Sequence, residues 1–197
     1  MQSFWRNPQN IIALGVTLIS VCALVVSITQ TRVMIRQSEL MDRQARASVR
    51  PILEIEQSRA YDVTSRVITA FSFTVENNGV GPATIDEVFV TFAGQTIRSW
   101  GELYEALEPP DTVLDYADQY DLNHTVLQAG QEKGWLDLSS NPSFASLLNA
   151  RTDELTFTVL YRSLYDDRYL YTWQGGATSN RAFDPRKDAV VGEEFAN

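Results

Sequence analysis

The sequence is poor in the residues from which most catalytic and metal centres are built. Its 197 residues hold one cysteine, Cys22, and one histidine, His124. A lone thiol excludes an internal disulfide, and a single Cys with a single His cannot complete a structural zinc site. Any dyad or triad based on imidazole would have to use His124, yet Asp121-Leu122-Asn123-His124-Thr125 sets no activated nucleophile beside it. This histidine is expected in a loop or at a strand edge. The missing disulfide fits a reducing compartment without deciding it, since many domains of this size outside the cytoplasm also lack one.

Lysine is missing from the first fifty residues, where all the basic charge is arginine. Residues 1–50 carry six of the 16 basic and two of the 25 acidic residues, a net +4; the remainder carries ten and 23, a net −13. So acidic a body repels phosphate, and nucleic acid is excluded as a partner class. The hydrophobic share of 44% and the aromatic share of 11% indicate a packed body rather than a disordered chain.

What the sequence does have is a long uncharged run. Ile11–Thr29 contains no charge and no proline over 19 residues. As a helix it spans about 28 Å, close to the roughly 30 Å of a bilayer's hydrocarbon core. A cleaved signal would have a shorter core and a small-residue cleavage site beyond it. Neither fits here, because Val21-Cys22-Ala23 lies in mid-run. The expected layout is a short flank (1–10), a transmembrane helix (11–29), a juxtamembrane stalk (30–50), a β-domain (51–174) and a polar C-terminal tail (175–197).

Arginine sets the expected sidedness. Arg32, Arg36, Arg43, Arg46 and Arg50 follow the run, and only Arg6 precedes it. Basic residues beside a membrane segment favour the cytoplasmic face. The expectation is therefore a single-pass inner-membrane protein with a cytoplasmic body, the alternative being a periplasm-facing envelope protein. Gln30–Val49 lacks Gly and Pro, so the helix should continue as a stalk. Val33, Leu40 and Ala47 recur every seven residues, with Met34 and Met41 beside them, and Ala23 and Ser27 are four apart. Both spacings would let helices pair, although Gln37 and Gln44 make the stalk repeat polar. The lipid bilayer is thus one expected partner, and a protein partner or a second copy through helix and stalk is another.

After Pro51 the pattern changes to alternation. Ile52–Gln57, Val67–Glu76 and Ala83–Phe92 read as strands; in the second, Val67, Thr69, Phe71, Phe73 and Val75 are expected on one face. Ser99-Trp100-Gly101-Glu102 has capping-box spacing and opens a short helix through Leu107; Asn141–Asn149 reads as another. Thr125–Gln128 and Trp135–Leu138 read as short strands around a turn at Gly130. Glu154–Ser163 and Arg168–Trp173 form the clearest hairpin. The expected class is mainly β: an anchor helix and stalk, then an Ig-like antiparallel β-sandwich with one or two short helices.

Two stretches carry a resemblance. Ser48-Val49-Arg50-Pro51, and Glu76-Asn77-Asn78-Gly79-Val80-Gly81-Pro82-Ala83-Thr84-Ile85, are similar to segments of bacterial single-pass membrane proteins of uncharacterised activity. These have a basic juxtamembrane stretch and a compact β-domain. The resemblance implies the same architecture and assigns no catalytic residue, cofactor or metal. On its own residues, the glycine-rich segment is a turn, with Gly79 and Gly81 free to take backbone angles closed to other residues. A phosphate loop would need a glycine where Thr84 stands and a helix where a strand follows.

The acidic stretch from Glu102 to Asp121 is the remaining candidate site. Glu102, Glu105, Asp115, Asp118 and Asp121 recur at roughly helical spacing, among tyrosines. Carboxylates suit calcium, but the spacing lacks the alternation, turn glycine and closing Glu of an EF-hand loop. The expected role is a surface for a basic protein partner on a non-enzymatic, membrane-tethered binding or accessory module. A metal-dependent hydrolase using residues 102–121 is the sharper alternative.

Overall fold

The computed structural model describes residues 8–107, 118–188 and 195. The chain divides into two compact units, Met1–Ala47 and Ser48–Asn197.

The first unit is helical. One helix, α1, covers Pro8–Ser48, so the apolar run and the polar stretch after it are continuous. Within it lies the one helix among the described residues that is long and apolar enough to cross a membrane. Hydroxyls in the apolar part bond back to their own helix: Thr17 to the Ala13 carbonyl, Ser20 to Val16 and Thr29 to Val25. Each therefore has its hydrogen-bonding need met without water.

The second unit is built of antiparallel sheets. Its strands are β1 (Leu53–Tyr61), β2 (Ile68–Asn77), β3 (Ala83–Phe92), β4 (Gln95–Ile97), β5 (Asp118–Gln119), β6 (Val126–Leu127), β7 (Glu132–Asp137), β8 (Leu155–Arg162), β9 (Arg168–Gln174) and β10 (Ala177–Ala182). Helices α2 (Trp100–Ala106) and α3 (Pro142–Ala150) lie in the connections. One sheet has the order β1-β2-β7-β5. The other has β10-β9-β8-β3-β4, with β6 also on β3. Every pairing is antiparallel.

Aromatic rings join the two sheets. Phe73 of β2 meets Phe157 of β8 and Trp173 of β9 edge-on at 4.8 and 5.3 Å between centroids. Trp135 of β7 lies 4.6 Å from Phe157, and Trp100 at the start of α2 closes on Trp135 at 5.1 Å. Edge-to-face pairs of this kind add about 0.5–1.5 kcal/mol each beyond their buried area. The sheets also share polar ties. The Tyr171 hydroxyl accepts from the Ile55 N–H at 3.0 Å, Tyr161 donates to Asn180 Oδ1, and Asn180 Nδ2 donates to the Leu53 carbonyl. These side chains cover backbone groups along the edge of β1, and burial raises the pKa of both phenols.

Bulges, among them one in β2 and one in β3, set which residues face inward. In β2, Phe71, Phe73 and Val75 are buried as alternation predicts, but Val67 and Thr69 are exposed and Ile68 is buried in their place. Pairing passes from Ala60↔Ala70 to Tyr61↔Ile68, which leaves Thr69 as an extra residue and reverses the faces before it. In β3, pairing passes from Ile85↔Tyr161 to Glu87↔Leu160, so Asp86 is extra. Ile85 and Val88 can then both point inward although they are an odd number of residues apart.

The segment after Gly175 corrects the expectation of a polar tail. Gly175 and Gly176 take positive φ and turn the chain back as β10, paired with β9 over its whole length. Farther on, Phe195 is buried against Trp100 and Trp135, and its N–H donates to the Val88 carbonyl. β10 and Phe195 thus belong to the body. β1 also runs farther than expected, to Tyr61, and β7 begins earlier, at Glu132.

Candidate functional site

The five acidic positions do not form one described cluster. Glu102 and Glu105 are exposed on α2. Glu102 is engaged in capping: its N–H donates to Ser99 Oγ at 3.3 Å, and its Oε2 accepts from the Arg98 N–H at 2.7 Å. The Ser99 hydroxyl thus takes up one of the unpaired N–H groups at the start of the helix, and the carboxylate fastens the N–H of the residue before the cap. Asp121 is exposed after β5 and accepts from the Asn123 N–H, while its carbonyl accepts from Lys133 Nζ at 2.6 Å. Asp115 and the side chain of Asp118 lie outside the described residues. Among those described, no three His, Cys, Asp or Glu side chains are grouped to hold a metal ion.

His124 is exposed at φ 57°, in a tight turn closed by the Thr125 N–H on the Leu122 carbonyl. Left-handed backbone is tolerated by few residue types besides glycine, His among them. The position is a turn position, as its sequence context suggests.

The most highly organised polar group in the body is one that sequence reasoning passed over as turn chemistry. Asn77, at the end of β2, is fully buried. Its Oδ1 accepts from the N–H of Ile52 at 3.2 Å and of Gly79 at 3.0 Å. Its Nδ2 donates to the carbonyls of Gly81 at 2.8 Å and Leu127 at 3.0 Å. Its own backbone N–H donates to Gln131, and its carbonyl accepts from Gly130. One side chain therefore ties together the start of β1, the β2–β3 loop and β6, using both donors and both lone pairs of its oxygen.

The loop so held lies against Val49-Arg50-Pro51. The Asn78 N–H donates to the Ile52 carbonyl, and the Val80 N–H to the Arg50 carbonyl. Gly79 and Gly81 are required by this proximity. A Cβ on Gly79 would overlap Arg50, Pro51 and Ile52 backbone atoms, and one on Gly81 would overlap Val49. Neither glycine is among those with positive φ, so backbone freedom is not what selects them. Arg50 continues over the ring of Tyr169, its guanidinium carbon 5.5 Å from the centroid. The two sequence signatures, Ser48–Pro51 and Glu76–Ile85, are thus in direct contact.

No protein-family model, curated protein or solved structure matches the chain. What can be said of its action comes from its own residues.

A second polar anchor lies near the other end of the body's sequence. Arg181 in β10 grips Asp188 with two bonds of 2.6 Å, and the Asp184 N–H donates to the same carboxylate at 2.8 Å. The Arg181 hydrogen bonds, with that backbone N–H, lower the Asp188 pKa to about 2. At the β1–β2 hairpin, Asp62 Oδ1 accepts from the N–H groups of Thr64 and Ser65 and from Ser65 Oγ. These bonds, led by that from the Ser65 backbone, lower its pKa. In both places, carboxylates fix loops.

Proposed function

We propose that the chain is a non-enzymatic, single-pass membrane module that holds an Ig-like β-domain on the cytoplasmic face of the inner membrane, as a protein-interaction subunit of a membrane complex. The observation carrying this reading is α1, whose uncharged run has the length of a bilayer core and leads without a break into a polar, arginine-bearing stretch. The resemblance to bacterial single-pass proteins with a β-domain, drawn from the Ser48–Pro51 and Glu76–Ile85 motifs, agrees with it.

Strand order supports the Ig-like assignment. Read in chain order, β1, β2, β7 and β5 stand where A, B, E and D stand in an immunoglobulin domain. β9, β8 and β3 stand where G, F and C do, with β4 beside β3 like an extra C′ strand. In such domains the sheets supply a rigid frame, and loops or faces supply recognition. The acidic residues Glu102, Glu105, Asp115, Asp118 and Asp121 remain the surface we assign to a basic partner.

Sidedness is tested with C-terminal reporters, alkaline phosphatase for the outside and a fluorescent protein for the inside. The expected result is fluorescence without phosphatase activity. The opposite pattern would overturn the cytoplasmic placement and make the body an envelope-facing domain. Extraction at alkaline pH tests the anchor itself, because an integral helix stays with the membrane and a peripheral chain is released.

A further inference from the structure

The charges of the α1 stalk are sorted onto one side of the helix, and the sorting is complete. Taking Met34 as position a of a heptad, Arg32, Glu39 and Arg46 fall at f, Arg36 and Arg43 at c, and Asp42 at b. Every charged residue between Gln30 and Ala47 is thereby at b, c or f. Positions a, d, e and g over the same span hold none. They carry Met34 and Met41 at a, Gln37 and Gln44 at d, and Val33 and Leu40 at g, all exposed. On the charged side Arg46 pairs with Asp42 at 3.0 Å, one turn away.

The same register runs back into the apolar part of α1. Its a and d positions there are Ala13, Val16, Ser20, Ala23, Ser27 and Gln30. Mostly small residues in the membrane and mostly long ones beyond it share one seam. Close approach of backbones suits helix contact in lipid, where burial of apolar area gives no driving force. Larger apolar side chains suit helix contact in water.

We propose that this seam is a dimerisation face, and that it is occupied by the same face of a second copy of this chain, parallel and in register. The proposal rests on the reading of α1 as a membrane anchor and names the first partner of that module. Two copies anchored by the same helix lie parallel and at equal depth, so each a or d residue meets its own counterpart. A charged residue on such a face would confront an identical charge, which disfavours the pairing. A face without charge is what a second copy requires, whereas a charged partner would call for complementary charges that this face does not offer. Gln37 and Gln44 meet amide to amide, which can fix the register as a polar core residue does in a coiled coil. The methionines adapt their shape to the space between.

Cysteine cross-linking of the full-length chain in native membranes tests this. Cys22, the one native thiol, is first removed as Cys22→Ser, since it falls at c. Single cysteines are then placed on the seam (Gln37→Cys, Met41→Cys, Gln44→Cys) and on the charged side (Arg36→Cys, Glu39→Cys, Arg43→Cys). Mild oxidation should give disulfide-linked dimers from the first set and none from the second. Adding Met41→Arg to Gln37→Cys should abolish its dimer band, while Arg43→Glu should leave that band in place. If the chain stays in the membrane through alkaline extraction but cross-links nowhere, or most strongly at 36, 39 and 43, the seam is wrong and the anchor stands. If alkaline extraction releases the chain, the anchor falls, and with it the parallel register on which the dimer depends.

Discussion

Ile19 in α1 is 69% exposed and Leu18 64%, whereas Phe71 and Phe73 in β2 are fully covered by their own chain. Both regions are rich in apolar residues, and the burial rule gives opposite outcomes in them. In the body, apolar residues occur at every second position along a strand, so one face can turn inward and the polar face can meet water. In the uncharged run of α1 the apolar residues lie all round the helix, which leaves no polar face for water. Such a helix belongs in lipid or against another helix. The body finds its nonaqueous environment among its own strands, which the uncharged run of α1, a single helix, cannot do for itself.

The comparison can be broken most forcefully with one substitution in each region. Phe73→Ala removes the ring that meets both Phe157 and Trp173, at a cost of about 3–5 kcal/mol. For a body of this size that lowers the unfolding temperature by roughly 10 °C, read by thermal denaturation in detergent. Membrane retention should be unchanged. Val21→Arg should do the converse: insertion becomes about 2.5–3.5 kcal/mol less favourable, seen as chain lost from the membrane fraction, while the unfolding temperature of the body holds. If either substitution moved both readouts, the two units would not be energetically separate.

Glycine sharpens the contrast at a smaller scale. A Cβ on Gly15 of α1 has nothing near it, whereas one on Gly81 collides with Val49 backbone. Gly15→Ala should leave the body untouched and favour the helix by up to about 1 kcal/mol. Gly81→Ala should destabilise the body by about 1–3 kcal/mol, by forcing apart the β2–β3 loop and Val49–Pro51. Equal unfolding temperatures for the wild-type and Gly81→Ala chains would show that the contact is not held in solution.

How much of this could be read beforehand follows the same physics. The long strands were legible because their inward residues alternate, and α1 because it lacks charge over the length of a bilayer. Glu102 was legible in part: the capping box is in the sequence, and α2 forms where it predicts. Thr69 and Asp86 were harder, because a bulge shows only as a slip in the phase of alternation. Asn77 was hidden by its own polarity. An asparagine in Asn-Asn-Gly reads as a turn, and nothing local says that Ile52 and Leu127, from separate parts of the body, will also bond to it. β10 was hidden for a similar reason. Ala-Thr-Ser-Asn-Arg-Ala has no apolar alternation, as befits an edge strand whose residues are mostly exposed. Of the acidic stretch, Glu102 sits at a helix cap and Asp121 in a turn, both exposed, while Asp115 and the side chain of Asp118 lie outside the described residues.

The last and smallest effect concerns the closure of that hidden strand. α1 carries an arginine–aspartate pair, and Arg181 of β10 forms another with Asp188 in the turn that follows. Arg46 and Asp42 share one contact of 3.0 Å a helical turn apart, while Arg181 holds both oxygens of Asp188 at 2.6 Å. The second geometry is the stronger one, because two parallel bonds fix orientation as well as distance. Its consequence for pH has a definite sign. The Asp188 carboxyl titrates lower when folded, at about 2, than in an unfolded chain, at about 3.9. Its contribution is therefore present in full above the unfolded value, weakens as pH falls below it, and is lost as pH drops through about 2. A carboxyl titration by nuclear magnetic resonance should find the Asp188 midpoint near that value. In Arg181→Gln the midpoint should return towards the ordinary carboxylate range, with faster hydrogen exchange confined to β10. A midpoint already in the ordinary range with Arg181 intact would mean that the closure of β10 onto the following turn is not formed in solution. The pairing of β10 with β9 would then be what holds that strand to the body.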